Sequence, residues 1–325
     1  MIKTIAHPNI ALVKYWGKRN AELNLPAVGS ISVTLDKLKS ETEISFIDAN
    51  EDIVYFNGEI ATVKETIKFT NFINLFRNIS RSNNFVKINT VNNFPTSAGL
   101  ASSASGFAAL TLAASTLFGL EKNFQELSQL ARLGSGSASR SLFGGFAEWH
   151  KGKKDNGSDC FAEQIADENH FKLKVIVAVT SREKKKISSR NGMVNSAMTS
   201  PYYHQFVNTS EHDLAKMREA IIEKDFELMA KVTMQSTIKM HSVMMTTNPP
   251  LFYWNQSTYA IIETLHQLIE EKYPVFYTID AGPQVKIFTI PSYEEEIIKR
   301  ININQIEEII VCNLGKGAEI IKELQ

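Results

Sequence analysis

The chain alternates between two apolar rhythms, and the places where one gives way to the other mark its elements. The first ninety residues read mostly as strands. Residues 2–7 and 10–15 are short apolar runs around a turn at Pro8-Asn9, and residues 30–35, 42–47 and 53–56 are rich in β-branched side chains. Asn57-Gly58 is a two-residue hairpin signal, because both residues tolerate positive φ. The period then changes: Ile67, Phe69, Phe72, Ile73 and Phe76 fall on one face of an amphipathic helix over 63–76. A strand at 85–91 follows, then a helix of small and apolar residues ending near Phe118. A second helix covers 124–133, with Gly134 placed to stop it.

A polar stretch, Ala166-Asp167-Glu168-Asn169-His170, separates these from a second group. A strand up to Val179 leads into two helical patterns, one through Leu214, Met217 and Ile221 and one through Phe226, Met229, Val232 and Met240. The methionines read as plastic core packing. A helix at 259–272, strands at 275–279 and 285–290, a helix at 293–301 and a strand at 309–312 complete a β-α-β-β-α-β order with extra helices. The fold class is therefore α+β, with domains at 1–170 and 171–325.

At 325 residues, 43% hydrophobic and 22% charged, the chain is long enough for two buried cores. Its 35 basic and 35 acidic residues give a formal net charge of +0, which favours no polyanionic partner such as nucleic acid; only Lys184-Lys185-Lys186 is a basic run. Cys160 and Cys312 form no metal or redox motif, so reduced thiols in a cytoplasmic protein are expected. The N-terminal residues carry no signal-peptide pattern, and the apolar run 106–120 is too short to span a bilayer. The seven histidines show no metal-ligand spacing.

Three stretches carry candidate chemistry. In residues 95–105, nine of eleven are Ala, Ser, Thr or Gly, and a helix starts within them. Free amides at a helix start suit phosphate oxygens, and a Ser-rich loop capping a core helix fits the composition equally well. The stretch lacks the lysine of a Gly-x-x-x-x-Gly-Lys-Ser/Thr loop, and Gly134-Ser135-Gly136-Ser137 lacks the third glycine of a dinucleotide fingerprint. In Lys14-Tyr15-Trp16-Gly17-Lys18 the aromatics can wall a pocket while Lys18 points at an anion. In residues 134–141 the hydroxyls of Ser135 and Ser137 surround Arg140, a fork suited to a carboxylate.

Pro95, Gly99, Leu100, Ser102, Ser103 and Ala104 resemble the phosphate loop of the GHMP kinase superfamily. Five blocks, 9–18, 95–105, 134–140, 188–193 and 280–283, resemble the diphosphomevalonate decarboxylase family within it, in the family's order and across nearly the whole chain. The resemblance implies a two-domain fold, an N-terminal ribosomal-protein-S5-domain-2-like domain and a C-terminal ferredoxin-like domain, with the active site in the cleft between them. It implies ATP and Mg²⁺, mevalonate 5-diphosphate as substrate, a homodimer, and no membrane or nucleic-acid partner. By the same resemblance Asp280 is the base, kept ionised by Lys18, and Arg140 orients the carboxylate. Tyr15, Lys18, Ser135, Ser137, Arg140, Ser189, Arg190 and Met193 hold the substrate. Ser97, Ala98, Gly99, Leu100, Ala101, Ser102, Ser103, Ser105 and Lys186 hold ATP. Relatives that act on mevalonate or its 5-phosphate, some of them 3-kinases, and non-catalytic sensors are the alternatives. Ala27-Val28-Gly29 departs from the family, many of whose members carry Asn or Asp there.

Overall fold

The computed structural model describes residues 1–94, 102–183, 187–301 and 306–323. The first part of the chain runs β1 (Ile2–Ala6), β2 (Asn9–Val13), β3 (Lys18–Asn20), β4 (Leu25–Pro26), β5 (Ser30–Thr34), β6 (Ser40–Ile47), β7 (Ile53–Phe56), β8 (Glu59–Ile60), α1 (Val63–Ser80) and β9 (Phe85–Asn92). It continues with α2 (Ser102–Leu117), α3 (Phe124–Gly134), α4 (Ala138–Ser141), β10 (Phe146–Trp149) and β11 (Ala162–Ala166). The second part holds β12 (Lys174–Val179), α5 (Ser189–Thr199), α6 (Tyr203–Ile222), α7 (Phe226–Met245) and α8 (Gln256–Glu270). It ends with β13 (Val275–Ile279), β14 (Val285–Thr289), α9 (Glu294–Arg300), β15 (Glu308–Asn313) and β16 (Glu319–Glu323).

The Asn57-Gly58 turn forms as expected, with both residues at positive φ between β7 and β8. Helix α1 begins at a capping box in which Thr62 and Glu65 satisfy each other's backbone donors, and it buries Phe72, Ile73 and Phe76. Those side chains and α2 cover one face of a sheet ordered β16-β1-β6-β9-β7-β8. The alanines of α2 let it lie close to the strands, near enough for the Thr4 hydroxyl to donate to the Ala109 carbonyl at 2.9 Å. Gly134 does not stop α3 by a left-handed turn. It is the last helical residue, and a side chain there would collide with the Phe107 ring.

A second sheet, β11-β10-β5-β2, lies towards the C-terminal part, and all five residues of β2 are buried. The third sheet has the antiparallel order β13-β14-β12-β15, so β12 and β14 are central and β13 and β15 lie at the edges, the ferredoxin-like arrangement. Met217, Met229 and Met240 are buried as expected, and Met244 joins them. The sequence predicts no element at β3, β4, α4, β10, β11, α5 or β16, and of these β16 returns to pair antiparallel with β1. The last strand of the chain thus belongs to the first sheet, although it follows the whole second domain in sequence. Polar contacts also tie the halves together, with the Lys14 amide donating to Ser236 Oγ at 2.9 Å and Thr278 Oγ1 to the Ala11 carbonyl at 3.2 Å.

Candidate active site

A cavity of about 600 Å³ opens where these halves meet, lined by the end of β2, the turn after it, the start of α2, the α3–α4 loop, the start of α5 and the β13–β14 turn. Among its lining residues are six cations, Lys14, Lys18, Lys64, Lys68, Arg140 and Arg190, and one carboxylate, Asp280. A chain with no net charge has therefore gathered positive charge into one cleft.

Asp280 follows β13 directly, and its side chain is 27% exposed, opening on the cavity. The Lys14 ammonium lies 2.6 Å from Oδ1 and the Lys286 ammonium 3.3 Å from Oδ2. Burial pushes the Asp280 pKa up, but the two ammonium groups, by charge and by hydrogen bonding, outweigh it and hold the carboxyl below its ordinary range. Burial also takes the Lys14 pKa down to about 8, against the pull of Asp280. The expected pairing of Asp280 with Lys18 is thus corrected. Lys14 directly follows the buried strand β2 and points inward, whereas Gly17, at positive φ, turns the chain so that Lys18 starts β3 on the cavity wall. Lys18 has its pKa lowered to about 8, by burial and then by the charge of Arg190.

Arg140 is 3% exposed, on the short helix α4. Its Nε and Nη2 donate to Asn9 Oδ1 at 3.2 and 3.0 Å, and its Nη1 to Ser30 Oγ. Asn9 is fixed in turn by donating to the Ser137 carbonyl at 2.9 Å and to Ser141 Oγ at 2.7 Å. With three of a guanidinium's five N–H groups engaged, one remains on each terminal nitrogen for a carboxylate in the cavity. Burial lowers the Arg140 pKa to about 10, so it stays charged throughout the neutral range.

Tyr15 packs edge-on against Trp149, ring centroids 4.9 Å apart, and Trp16 and Met193 sit in one apolar cluster beneath the cavity. Ser135, Ser137, Ser189 and Arg190 line it with them. Arg190 is in the first turn of α5, capped by Ser188, so the helix N-terminus and the guanidinium offer positive potential together. Of the expected ATP residues, Ser97 to Ala101 and Lys186 lie outside the described residues. Ser103 lines the cavity, its hydroxyl 3.3 Å from that of Ser135. Ser102 starts α2 but is not among the lining residues. Ser105 is corrected: it points into the sheet, fully buried, with its hydroxyl 2.7 Å from that of Ser40. No group of three or more His, Cys, Asp or Glu gathers among the described residues. The hydroxyls of Ser103, Ser135 and Ser137 suit an ion carried in on phosphate oxygens, since Mg²⁺ takes hard oxygen donors.

The sequence reading overlooked four cations and two amides. Lys14 stands in the Lys14–Lys18 motif with no role assigned to it from the sequence, and Lys64 and Lys68, on α1, carry no reading there; the Lys68 ammonium lies 4.6 Å over the Phe107 ring. Lys286 carried a usable signal, a charge inside the apolar run Val285 to Phe288. Asn9 and Asn24 gave none. The buried Asn24 donates to the Arg132 carbonyl at 2.6 Å, and its own Oδ1 has no partner among the described residues at the cavity wall.

Residues 6–162 match the family model for the diphosphomevalonate decarboxylase-like N-terminal domain, and residues 175–310 the model for the mevalonate 5-diphosphate decarboxylase C-terminal domain. The chain belongs to the diphosphomevalonate decarboxylase family. It is 39% identical to the diphosphomevalonate decarboxylase of Saccharomyces cerevisiae, over 89% of this chain and 78% of that one. It superposes on the mevalonate diphosphate decarboxylase of Staphylococcus aureus with a TM-score of 0.92 and 38% identity, covering 99% of this chain and 98% of the other. A structure of MDDEF in complex with MVAPP, AMPPCP and magnesium gives 0.91 and 36%, covering 99% of both chains. The fold is the two-domain GHMP kinase fold of this family. Against it, the Ala27-Val28-Gly29 departure is a packing feature. Val28 is fully buried beside Trp16 and Met193, a side chain at Gly29 would press on Leu214, and none of the three lines the cavity.

Proposed function

We propose that this cleft carries out the ATP-dependent decarboxylation of mevalonate 5-diphosphate to isopentenyl diphosphate, with release of ADP, phosphate and CO₂. One observation carries the reading: a carboxylate, Asp280, held between two buried ammonium groups with the Arg140 fork beside it in a cation-lined cavity. A tertiary hydroxyl is a poor leaving group, and phosphorylation makes it a good one. Asp280 accepts the hydrogen bond of the C3 hydroxyl and draws off its proton as the oxygen bonds to the γ-phosphorus and the bond from that phosphorus to the bridging oxygen breaks, releasing ADP. As the phosphate departs, electron deficiency grows at C3, and the carboxylate's C–C bonding pair moves in while CO₂ leaves. Arg140 holds that carboxylate in line with its two remaining N–H groups. Tyr15, Lys18, Ser135, Ser137, Ser189, Arg190 and Met193 form the substrate wall, with Lys18 and Arg190 at the diphosphate. The start of α2, through Ser103, faces the nucleotide phosphates, where Mg²⁺ supplies charge neutralisation.

The cation count supports the diphosphate over the 5-phosphate, and the presence of both Asp280 and a lysine on it supports full decarboxylation over 3-phosphorylation alone. We place the enzyme in the cytoplasm as a homodimer; the two free cysteines suit that compartment. No helix among the described residues is long and apolar enough to cross a membrane. The test is a product assay with purified protein, ATP, Mg²⁺ and, separately, mevalonate, its 5-phosphate and its 5-diphosphate. CO₂ release from the 5-diphosphate is expected to exceed that from the other two many-fold. Equal turnover of the 5-phosphate and 5-diphosphate would overturn the assignment.

A further inference from the structure

The reaction as described leaves one buried charge without a task. Lys286 is fully buried in the middle of β14, among Val285, Ile287, Phe288 and Thr289. An ammonium withdrawn from water costs several kcal/mol unless an anion compensates it closely. The sheet register shows how the anion is supplied. Lys286 stands opposite Thr278, so Phe276, Thr278 and Asp280 project from the same face as Lys286 and Phe288. The Phe276 and Phe288 rings stack with centroids 4.8 Å apart and planes 4° from parallel, and the Thr278 hydroxyl is anchored to Thr237 at 2.9 Å. A one-residue slip would send Lys286 to the opposite face, and this packing opposes it. Lys286 therefore meets Oδ2 of Asp280 at 3.3 Å while Lys14 meets Oδ1 at 2.6 Å. With a different ammonium on each oxygen, from a different domain, the carboxylate cannot rotate without breaking both contacts.

We propose that Lys286 is a positioning residue: it fixes the rotation of the Asp280 carboxylate presented to the C3 hydroxyl and keeps that carboxylate an anion. This rests on the reaction proposed above. Four groups on four elements face Asp280: Lys14 after β2, Lys286 on β14, Arg140 on α4 and His241 on α7. His241 is buried and has its pKa lowered to about 3, so it brings no charge near neutral pH. The charge balance around Asp280 is thus set by the two lysines and the arginine. Lys286 also presses on Lys14 as a like charge, one of the causes that lower the Lys14 pKa.

The test is Lys286→Met, which keeps an unbranched side chain one atom shorter and removes its charge. Turnover is expected to fall at least tenfold with KM for both substrates changed less than threefold, because the carboxylate loses its aim while binding is left alone. In the same protein the ε-carbon resonance of Lys14, followed by NMR from pH 6 to 11, should titrate about one pH unit higher than in the wild type. A purely structural lysine would lower thermal stability and leave the Lys14 titration where it was. Turnover within threefold of wild type, or an unmoved Lys14 titration, overturns the proposal. Lys286→Gln, which retains a hydrogen-bond donor, replaces the methionine variant if that does not fold. A wild-type protein idle on mevalonate 5-diphosphate would sink the reaction assignment instead, and the lysine titration would still decide whether the clamp exists.

Discussion

The two ends of the cleft solve the same electrostatic problem in opposite ways. At the deep end, Lys14, Lys286 and Arg140 are buried, and each is already paired or hydrogen-bonded by Asp280, Asn9 or Ser30. At the mouth, Lys18, Lys64, Lys68 and Arg190 have no carboxylate within ion-pair distance among the described residues. Lys18 and Lys68 have lowered pKa values there, first through loss of water and then through the charge of Arg190. On the reading proposed above, the deep end holds its charge in fixed geometry before any ligand arrives, whereas the mouth leaves its charge to be satisfied by phosphate. Preorganised groups favour the transition state, and unsatisfied ones favour binding.

The sharpest way to break this contrast is at Asp280. Asp280→Asn keeps the shape and a turn-capping oxygen but not the base, so kcat should fall by at least ~10²–10⁴ with the fold intact. Retention of more than about a tenth of wild-type turnover, well above that range, would make the residue a turn cap. Arg140 comes next. Arg140→Lys should lose roughly ten- to a hundredfold in kcat, because an ammonium cannot hold Asn9, Ser30 and a carboxylate in one plane. Near-normal kinetics in the lysine variant would show that the fork is not needed. At the mouth the sign of the effect changes: Arg190→Gln should raise KM for the 5-diphosphate about tenfold with kcat within about threefold. A fall in kcat at constant KM would erase the distinction between the two ends.

The smallest effect is a proton count. Lys14 and Lys18 titrate near pH 8 in the folded chain against 10.5 for an ordinary lysine. The unfolded chain binds those protons more tightly, so these groups add stability as pH rises from about 8 to 10.5 and lose it as pH falls through 8. A diphosphate beside Lys18 should raise its pKa. Binding at pH 8 should therefore take up ~0.5 proton, read by calorimetry in buffers of different ionisation heat. Proton release would contradict a cationic mouth.

Much of this was legible because it depends on local spacing. The Asn57-Gly58 turn, the α1 face of Phe72, Ile73 and Phe76, and the β13–turn–β14 unit around Asp280 follow from period and turn chemistry. The Asp280 partner was not legible. Lys14 and Lys18 sit in one short motif, and only the turn at Gly17 decides which of them points inward. The β1–β16 pairing joins residues more than 300 positions apart, and no local pattern in Glu319–Glu323 announces it. Ser105 shares a Ser-rich stretch with Ser103, yet helical rotation turns it towards Ser40 and the sheet. In each case a tertiary contact selects among side chains that the sequence presents as equivalent.

The division of labour between the two ends is tested most directly by titrating mevalonate 5-diphosphate into Asp280→Asn and Arg190→Gln and comparing each Kd with the wild type. Asp280→Asn should bind no more weakly than wild type, since it removes a negative charge near the substrate carboxylate, while Arg190→Gln should bind about tenfold more weakly. Weaker binding by Asp280→Asn together with unchanged binding by Arg190→Gln would contradict it.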